Sequence, residues 1–470
     1  MRSFMSMQPG KPPLLHYDAS LAQRSASTSG WEILIDETLR RRALKAALFI
    51  AGRMREPLFV DALAKQTVPS ISSKGRWTSA SISGGLAGIA LMYGYFARCF
   101  PGQGWDLTAQ RYMKMIAEDT QQIGLTLMGA FSGTASMATV LESLSQGGRR
   151  YKKALSLTQQ ALFEQIKEHT WIRSPAEEGI DFADYDVLAG AAGLLASLVS
   201  TEKQTEPRLA AIETLLEYLV WLAEPDQRLG GERWYVPPHF ATDAQRDLFP
   251  EGFFDCGLSH GVPGILAALS LAWLAGYRYP GLREAMDALA GWIVEHSIHD
   301  QWGISWPTRI PQQVACFKEA WSTLPPARTA WCYGGPGVAR SLWLAGNALD
   351  NPALCHLAIT AIESALRRPT RLRYIDAPML CHGISGLLQI CMHFAHEGES
   401  TLAREHVSLL LEDLLQGFQP DYAFGFRYLE TNNLLIDWPG WLTGAAGIAL
   451  VLLAVSTPIA PAWDRLLCIA

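Results

Sequence analysis

Two cysteines and two histidines occupy matching places in a repeated sequence pattern. Cys332 and Cys381 each lie two residues before a Gly-x-x-Gly sequence, and His260 and His382 each lie one residue before such a sequence. Thiolates and imidazoles are preferred ligands of Zn²⁺, which is normally four-coordinate. Cys332, Cys381 and His382 would supply three ligands and leave one position open, as catalytic zinc sites do. The spacing alone matches no zinc-finger pattern, so this prediction depends on how the repeats fold.

The Gly-x-x-Gly sequence is an internal repeat. Six full copies and one degenerate copy occur, and their first glycines are separated by 48, 57, 71, 73, 49 and 61 residues. Repeats at such intervals indicate a repeat architecture rather than a chance motif. The copies begin at Gly85, Gly133 (the degenerate copy, with Ser136 in place of the second glycine), Gly190, Gly261, Gly334, Gly383 and Gly444.

The residues around the motifs predict two kinds of helix. The segment that follows each motif is apolar nearly all round, which is typical of a buried helix. Segments between the motifs carry a single apolar stripe, as at Leu282, Met286 and Leu289, which is typical of a helix that covers a core. Seven such alternations predict an all-α fold, an α,α-toroid in which an outer ring of helices surrounds an inner ring. The paired glycines would let the inner helices approach one another closely.

We predict one toroid domain over residues 30–470, because the repeats share a core, and a flexible arm over residues 1–29. The longest intervals, before Gly261 and Gly334, leave room for insertions. Residues 233–236 and 302–306 are predicted to form short strands or loops there. Extensive sheet is not expected, because Val, Ile and Thr rarely alternate with polar residues.

A ring places equivalent repeat positions at the same height. We therefore expect Cys332, Cys381, His382 and His260 to converge on one mouth of the toroid. Asp186, four residues before Gly190, belongs to the same level.

Composition excludes several classes of protein. The 470 residues are 49% hydrophobic, which excludes a disordered chain, and their net charge of −6 shows no basic surplus for nucleic acid. The N-terminus does not resemble a secretory signal. The apolar stretch 444–455 is too short for a membrane span and predicts a buried helix. Eight scattered cysteines without a signal sequence favour reduced thiols and a cytoplasmic location.

Simpler explanations exist for the candidate residues. A free cysteine is more often a small buried hydrophobe than a ligand, and this is our prediction for the other six cysteines. His260 could cap a helix or bond to a backbone carbonyl. Asp186, just ahead of a helix, could be a capping residue.

Four segments together carry a family resemblance. They are residues 331–337 (Trp-Cys-Tyr-Gly-Gly-Pro-Gly), 381–383 (Cys-His-Gly), 258–264 (Leu-Ser-His-Gly-Val-Pro-Gly) and 441–448 (Trp-Leu-Thr-Gly-Ala-Ala-Gly-Ile). In that order they resemble the lanthipeptide (lantibiotic) synthetase cyclase family, LanC-like. The resemblance extends from about Ser83 to the C-terminus. It implies an α,α-toroid, in agreement with the repeats.

The resemblance also implies a reaction, the Michael addition of a precursor-peptide cysteine thiol to dehydroalanine or dehydrobutyrine, which forms lanthionine or methyllanthionine rings. It places the zinc ligands at Cys332, Cys381 and His382 and a general acid/base at His260. Further active-site positions implied by it are Asp186, Arg328 and Tyr333. The expected partners are a dehydrated precursor peptide with its leader, a separate dehydratase and a transporter. The expected location is cytoplasmic, peripheral to a membrane-associated complex.

This reaction needs an ionised thiol and a proton donor. A free cysteine has a pKa of about 8.5, and metal coordination deprotonates thiols. Addition at the β-carbon generates an enolate that must be protonated at the α-carbon, and His260 is the predicted acid. Arg328 is predicted to stabilise the enolate oxygen, and Asp186 to orient a neighbouring group or exchange protons with it.

Three alternatives remain open on sequence grounds. The chain could add glutathione to dehydroamino acids, as the eukaryotic LanC-like branch does, or it could be a non-catalytic peptide-binding toroid. A glycoside-processing (α/α) barrel would use two carboxylates such as Asp184 and Asp186, but it leaves the Cys-Cys-His set unexplained.

Overall fold

The structure of the chain is a computed structural model that describes residues 14–18, 30–70, 77–171, 179–200, 204–226, 231–375, 377–398, 400–429 and 434–470. The α-helices, in chain order, are α1 (Glu37–Arg53), α2 (Pro57–Thr67), α3 (Leu86–Cys99), α4 (Trp105–Ile123), α5 (Thr134–Leu144), α6 (Lys152–Glu168), α7 (Phe182–Tyr185), α8 (Ala191–Val199), α9 (Glu206–Ala223), α10 (Asp243–Leu248), α11 (Val262–Leu274), α12 (Leu282–Glu295), α13 (Lys318–Trp321), α14 (Gly335–Leu349), α15 (Pro352–Arg367), α16 (Thr370–Arg373), α17 (Ile384–His396), α18 (Thr401–Gln416) and α19 (Ala445–Ser456).

The seven helices that follow the glycine motifs form a closed inner ring. They are α3, α5, α8, α11, α14, α17 and α19; each packs against the next, and α19 packs against α3. Every residue of α19 is buried, which confirms the buried helix predicted over residues 444–455. None of the helices in the described ranges is both long and apolar enough to cross a membrane.

A second ring of helices covers the first. The outer helices each pack mainly on one inner helix; they are α1, α4, α6, α9, α12, α15 and α18. Helix α12 buries the predicted stripe of Leu282, Met286 and Leu289. The N-terminal outer helix α1 packs on the C-terminal inner helix α19, so the two ends of the chain close the toroid. The predicted α,α-toroid is confirmed.

Strands are short and lie in the connections. They are β1 (His16–Tyr17), β2 (Pro225–Asp226), β3 (Gly231–Glu232), β4 (Phe253–Asp255), β5 (Tyr277–Arg278), β6 (Ile298–Asp300), β7 (Gly303–Ser305), β8 (Arg309–Pro311), β9 (Tyr428–Leu429) and β10 (Leu435–Ile436). Strand β7 lies within the predicted segment 302–306 and pairs with β6. Residues 233–236 follow β3 as a loop, and Val236 forms an isolated bridge to Phe253.

Part of the predicted N-terminal arm is paired with the toroid. Strand β1 pairs antiparallel with β5, and the Tyr17 and Tyr277 rings lie 5.1 Å apart. This strand was not expected from the polar sequence around it. The remainder of residues 1–29 lies outside the described residues, so the boundary at residue 30 stays a prediction.

A closed circuit of backbone hydrogen bonds joins the seven loops directly before the first glycines, here called the motif turns. In every bond the acceptor is the carbonyl oxygen of the residue two places before a first glycine. The donor-to-acceptor pairs are Ile82 to Phe131 (2.9 Å), Phe131 to Leu188 (3.1 Å), Val187 to Ser259 (3.1 Å), Ser259 to Cys332 (3.3 Å), Cys332 to Cys381 (3.2 Å), Cys381 to Leu442 (2.9 Å) and Leu442 to Ser83 (3.1 Å). The circuit places the motif turns at one mouth of the toroid.

The second glycine of each full motif lies where the backbone is most crowded. A Cβ at Gly447 would lie 2.0 Å from the Trp441 carbonyl oxygen of its own motif turn and 2.6 Å from the Leu380 side chain of the neighbouring turn. Gly88, Gly193, Gly264, Gly337 and Gly386 are crowded by the equivalent carbonyl oxygens. In the degenerate copy, the Ser136 hydroxyl instead donates to the carbonyl oxygen of Ala80 (2.8 Å).

The C-terminal segment packs inside the inner ring. It includes the 3-10 helix Ala462–Leu467, where Asp464 accepts hydrogen bonds from Gln389 (2.7 Å) and His393 (2.6 Å) of α17. The Leu467 carbonyl oxygen accepts a hydrogen bond from the Trp331 indole N–H at 2.9 Å. Since Trp331 directly precedes Cys332, the segment supports a motif turn from within the ring.

A glycine-to-alanine pair tests the crowding. Gly447→Ala is expected to lower the free energy of unfolding by about 1–3 kcal/mol or more, because the added Cβ would overlap a backbone carbonyl. Gly291→Ala, on outer helix α12 with nothing within 4 Å, is the matched control. It is expected to leave stability unchanged or raise it by up to ~1 kcal/mol through helix propensity. The melting temperatures of both variants measure these effects. Equal values would contradict the requirement for close backbone approach at Gly447.

Candidate metal centre

Three potential metal ligands meet where two neighbouring motif turns touch. The Sγ atoms of Cys332 and Cys381 and a ring nitrogen of His382 all lie within 4.8 Å of one another. Within the described ranges, no other group of three or more His, Cys, Asp or Glu residues is this close. Cys332 is 6% exposed, and Cys381 and His382 are half-buried. The Cys332 N–H to Cys381 carbonyl bond of the circuit joins the two turns directly.

The two thiols perturb each other strongly. The hydrogen-bonded Cys381 thiol lowers the pKa of Cys332 to about 5; burial opposes this shift, and the His382 and Arg328 charges add to it. The Cys332 thiolate in turn raises the pKa of Cys381 well above its usual value, and burial acts in the same direction. A divalent cation bound here would favour the ionised form of both thiols. Two sulfurs and one imidazole nitrogen, largely shielded from water, fit zinc by donor type.

Asp186 and His260 form a second pair at the same mouth. Asp186 is 2% exposed, and its Oδ2 lies 2.6 Å from His260 Nδ1. Its Oδ1 accepts the N–H groups of Ala189 (2.7 Å) and Gly190 (2.9 Å), so the residue both caps the turn before α8 and holds the imidazole. Because a carboxylate only accepts, Nδ1 of His260 donates, and Nε2 remains to exchange a proton.

The environment of His260 favours its charged form. Burial alone would lower the pKa of His260, but the hydrogen bond and charge of Asp186 outweigh burial and raise it. The negative charges of Asp255 and Cys332 act in the same direction. The imidazole lies edge-on to Phe182 (5.0 Å between ring centroids) and 6.4 Å from the Tyr333 ring.

Tyr333 and Arg328 occupy different positions at this mouth. The Tyr333 hydroxyl donates to Asp255 Oδ2 (3.0 Å) and accepts from Arg309 (2.9 Å). Burial, then the Asp255 charge, raises the pKa of Tyr333 well above its ordinary value, so the phenol stays protonated. The Arg328 side chain is exposed, and its charge acts to lower the pKa of both Cys332 and Cys381.

Two residues at this mouth were missed by the sequence reasoning. Asp255 ends β4 and Arg309 begins β8, in the two inserts that the repeats left unaligned. Asp255 stands six residues before Gly261, close enough to the motif to have been considered. Arg309 carried no such signal, because only the pairing of β4 with β8 brings it near Tyr333.

The other six cysteines take no part in this group. Cys256, Cys391 and Cys468 are buried, as expected, while Cys99 and Cys355 are half-buried. The expectation was wrong for Cys316, which is exposed, because it lies in the surface loop just before α13.

Comparisons with known proteins identify a matching family model, a related sequence and a similar fold. The sequence model of the family described as lanthionine synthetase C-like protein matches residues 76–468. The chain is 25% identical over 314 residues to nisin biosynthesis protein NisC of Lactococcus lactis subsp. lactis, which covers 67% of this chain and 73% of that protein. The fold is similar to that of nisin cyclase, with a TM-score of 0.71, 22% identity, and coverage of 87% of this chain and 96% of that chain.

Removal of one ligand is expected to abolish metal binding. Cys381→Ala should reduce bound zinc from about one ion per chain to a small fraction, because two donors hold zinc far less firmly than three. Cys391→Ala, which removes a buried thiol outside the group, should retain zinc. Metal analysis of the purified proteins measures both. A wild-type chain that binds no zinc when supplied with it would contradict the assignment.

Proposed function

The chain belongs to the lanthionine synthetase C-like family, and we propose that it closes thioether rings in a dehydrated precursor peptide. The reaction adds a peptide cysteine thiol to dehydroalanine or dehydrobutyrine and yields lanthionine or methyllanthionine. One observation carries the proposal: the Cys332, Cys381 and His382 group lies at the same mouth as the His260 imidazole held by Asp186. The role of NisC in nisin biosynthesis supports the same substrate class.

Cys332, Cys381 and His382 would hold a zinc ion, which when bound keeps a substrate thiol ionised at neutral pH. The protein residues supply the remaining requirements. The peptide sulfur forms a bond to the β-carbon, and the electron pair of the C=C double bond moves to the α-carbon and carbonyl as an enolate. His260 then delivers the proton at Nε2 to the α-carbon, and the two substrate carbons are saturated.

Three other residues at this mouth have separate tasks. Asp186 keeps Nδ1 of the imidazole protonated and the ring oriented. Arg328 offers an exposed cation that would stabilise the enolate oxygen. The Tyr333 hydroxyl is engaged by Asp255 and Arg309, so the residue contributes an aromatic surface rather than a proton.

The proposal extends to partners and location. A thiol can add only to a peptide that is already dehydrated, so a dehydratase must act before this chain. Membership of the family supports a leader-bearing precursor, a transporter and a cytoplasmic location as parts of this proposal. All eight cysteines are free, which suits a reducing compartment.

A thiol count tests the proposed function. Dehydrated precursor peptide incubated with the zinc-loaded protein should lose free thiols faster than peptide alone, as measured by alkylation and mass spectrometry, without a change in unalkylated mass. Equal rates with and without protein would overturn the proposal. Consumption of added glutathione instead of peptide thiols would indicate the glutathione-adding alternative.

The Asp186–His260 pair predicts a pH dependence. His260→Ala should slow ring closure by ~10²–10⁴-fold, because the proton donor is lost. The acid form of His260 exists below its pKa, so the rate should fall as pH rises through that raised value. Asp186→Asn removes the charge that raises the pKa, so the fall should move to lower pH.

The Asn side chain at 186 keeps an oxygen for the N–H groups of Ala189 and Gly190, so folding should be preserved. Rates measured from pH 5 to 9, with melting temperatures beside them, check this. An unmoved alkaline limb in Asp186→Asn would exclude His260 as the titrating acid.

A further inference from the structure

The two inserts that the repeat pattern left unassigned are joined to each other at the candidate site. Strand β4 belongs to the insert before Gly261 and strand β8 to the insert before Gly334, and they pair with Asp255 directly opposite Arg309. Asp255 Oδ2 and Arg309 Nε lie 3.0 Å apart, and Asp255 is 1% exposed. Asp255 Oδ1 also accepts the Gly257 N–H at 2.9 Å. The carboxylate is therefore fixed by its own turn as well as by the arginine.

The paired residues converge on one group, the Tyr333 hydroxyl. Tyr333 donates to Asp255 Oδ2 at 3.0 Å, and Arg309 donates to the Tyr333 oxygen at 2.9 Å. The Arg309 guanidinium also lies over the Tyr333 ring, 5.4 Å from its centroid. Charge-assisted hydrogen bonds of this kind are stronger than neutral ones, so the phenol is held at its far end.

The end of the Tyr333 ring closest to its own backbone is held by close packing. A Cβ at Gly257 would lie 2.5 Å from Tyr333 Cδ1 and 2.6 Å from the Cys332 carbonyl oxygen, so the ring lies directly on the backbone of the β4 insert. The ring is 6.4 Å from the His260 imidazole, and its own backbone follows Cys332. Tyr333 thus links the ion pair of the inserts to the acid and to the metal-ligand turn.

We propose that Asp255 and Arg309 are positioning residues that fix Tyr333 as a wall of the active site beside His260. This inference rests on the proposed function and adds a role for the inserts. A rigid wall limits where the dehydroamino acid can lie relative to the imidazole. Misplacement of a reacting group by about 1 Å can cost ~10² in rate, so loosening the wall affects the chemical step more than peptide binding.

A double-mutant cycle tests the proposal. Asp255→Asn and Tyr333→Phe should each lower kcat about 10–100-fold with little change in KM. The double variant should be no slower than the slower single variant, because both changes break the same connection. Losses that multiply in the double variant, or a Tyr333→Phe variant as fast as wild type, would overturn the proposal.

Controls separate positioning from folding. Asp300→Asn removes the partner of Arg368 (2.6 Å) from β6 in the same insert and should leave kcat unchanged. Arg309→Lys is a second variant for the case in which Asp255→Asn fails to fold. It keeps the positive charge but loses the planar guanidinium group, and it should lower kcat. Zinc content and melting temperature of Arg309→Lys should match wild type; loss of zinc together with activity would assign the pair a structural role instead.

One readout does not need ring closure. Fluorotyrosine inserted at position 333 should give a ¹⁹F resonance shifted from that of the free amino acid, and Arg309→Lys should move it toward the free value. An unchanged resonance would contradict the positioning role. A shifted resonance in a chain that closes no rings would reject the proposed function, but it would still support the conclusion that Asp255 and Arg309 hold Tyr333.

Discussion

The closed circuit of backbone hydrogen bonds among the motif turns determines how the inner helices and the candidate site are arranged. Seven turns can join in a ring only if each inner helix starts close to its own turn and to the next turn. In six of the seven repeats the second glycine of the motif provides that space, since a side chain there would overlap the carbonyl of its own turn, as at Gly447. The repeated motif therefore reflects a packing requirement, and the candidate site residues occupy positions beside it in only some of the repeats.

The hydrogen-bonded circuit fixes the positions of the side chains that its turns carry. The backbone N–H of Cys332 donates a hydrogen bond to the backbone carbonyl oxygen of Cys381. The circuit, rather than flexible loops, therefore holds the two cysteines close together. The next bond around the circuit joins Ser259 to Cys332 and brings His260 to the same level. Functional groups on such a scaffold are held in place before substrate arrives, which lowers the cost of assembling a reactive geometry.

The site also relies on parts of the chain outside the repeats. The C-terminal segment packs inside the inner ring, and its Leu467 carbonyl oxygen accepts the indole N–H of Trp331, the residue before Cys332. The inserts contribute Asp255 and Arg309, whose ion pair holds Tyr333. Each of these contacts crosses between repeats, so each ties an irregular segment to the regular ring.

Glycine spacing and apolar periodicity can be read along the chain, so they were enough to predict the helical repeats, the toroid and the level at which Cys332, Cys381 and His382 lie. The sequence also singled out His260 and Asp186, although it left open whether each was a cap or a site residue. The three-dimensional fold was needed to show that Asp186 caps a turn and also holds His260, because its second oxygen reaches that histidine across 74 residues of sequence. Likewise only strand pairing between two inserts placed Arg309 beside Tyr333, because a contact between distant irregular segments leaves no periodic trace in sequence.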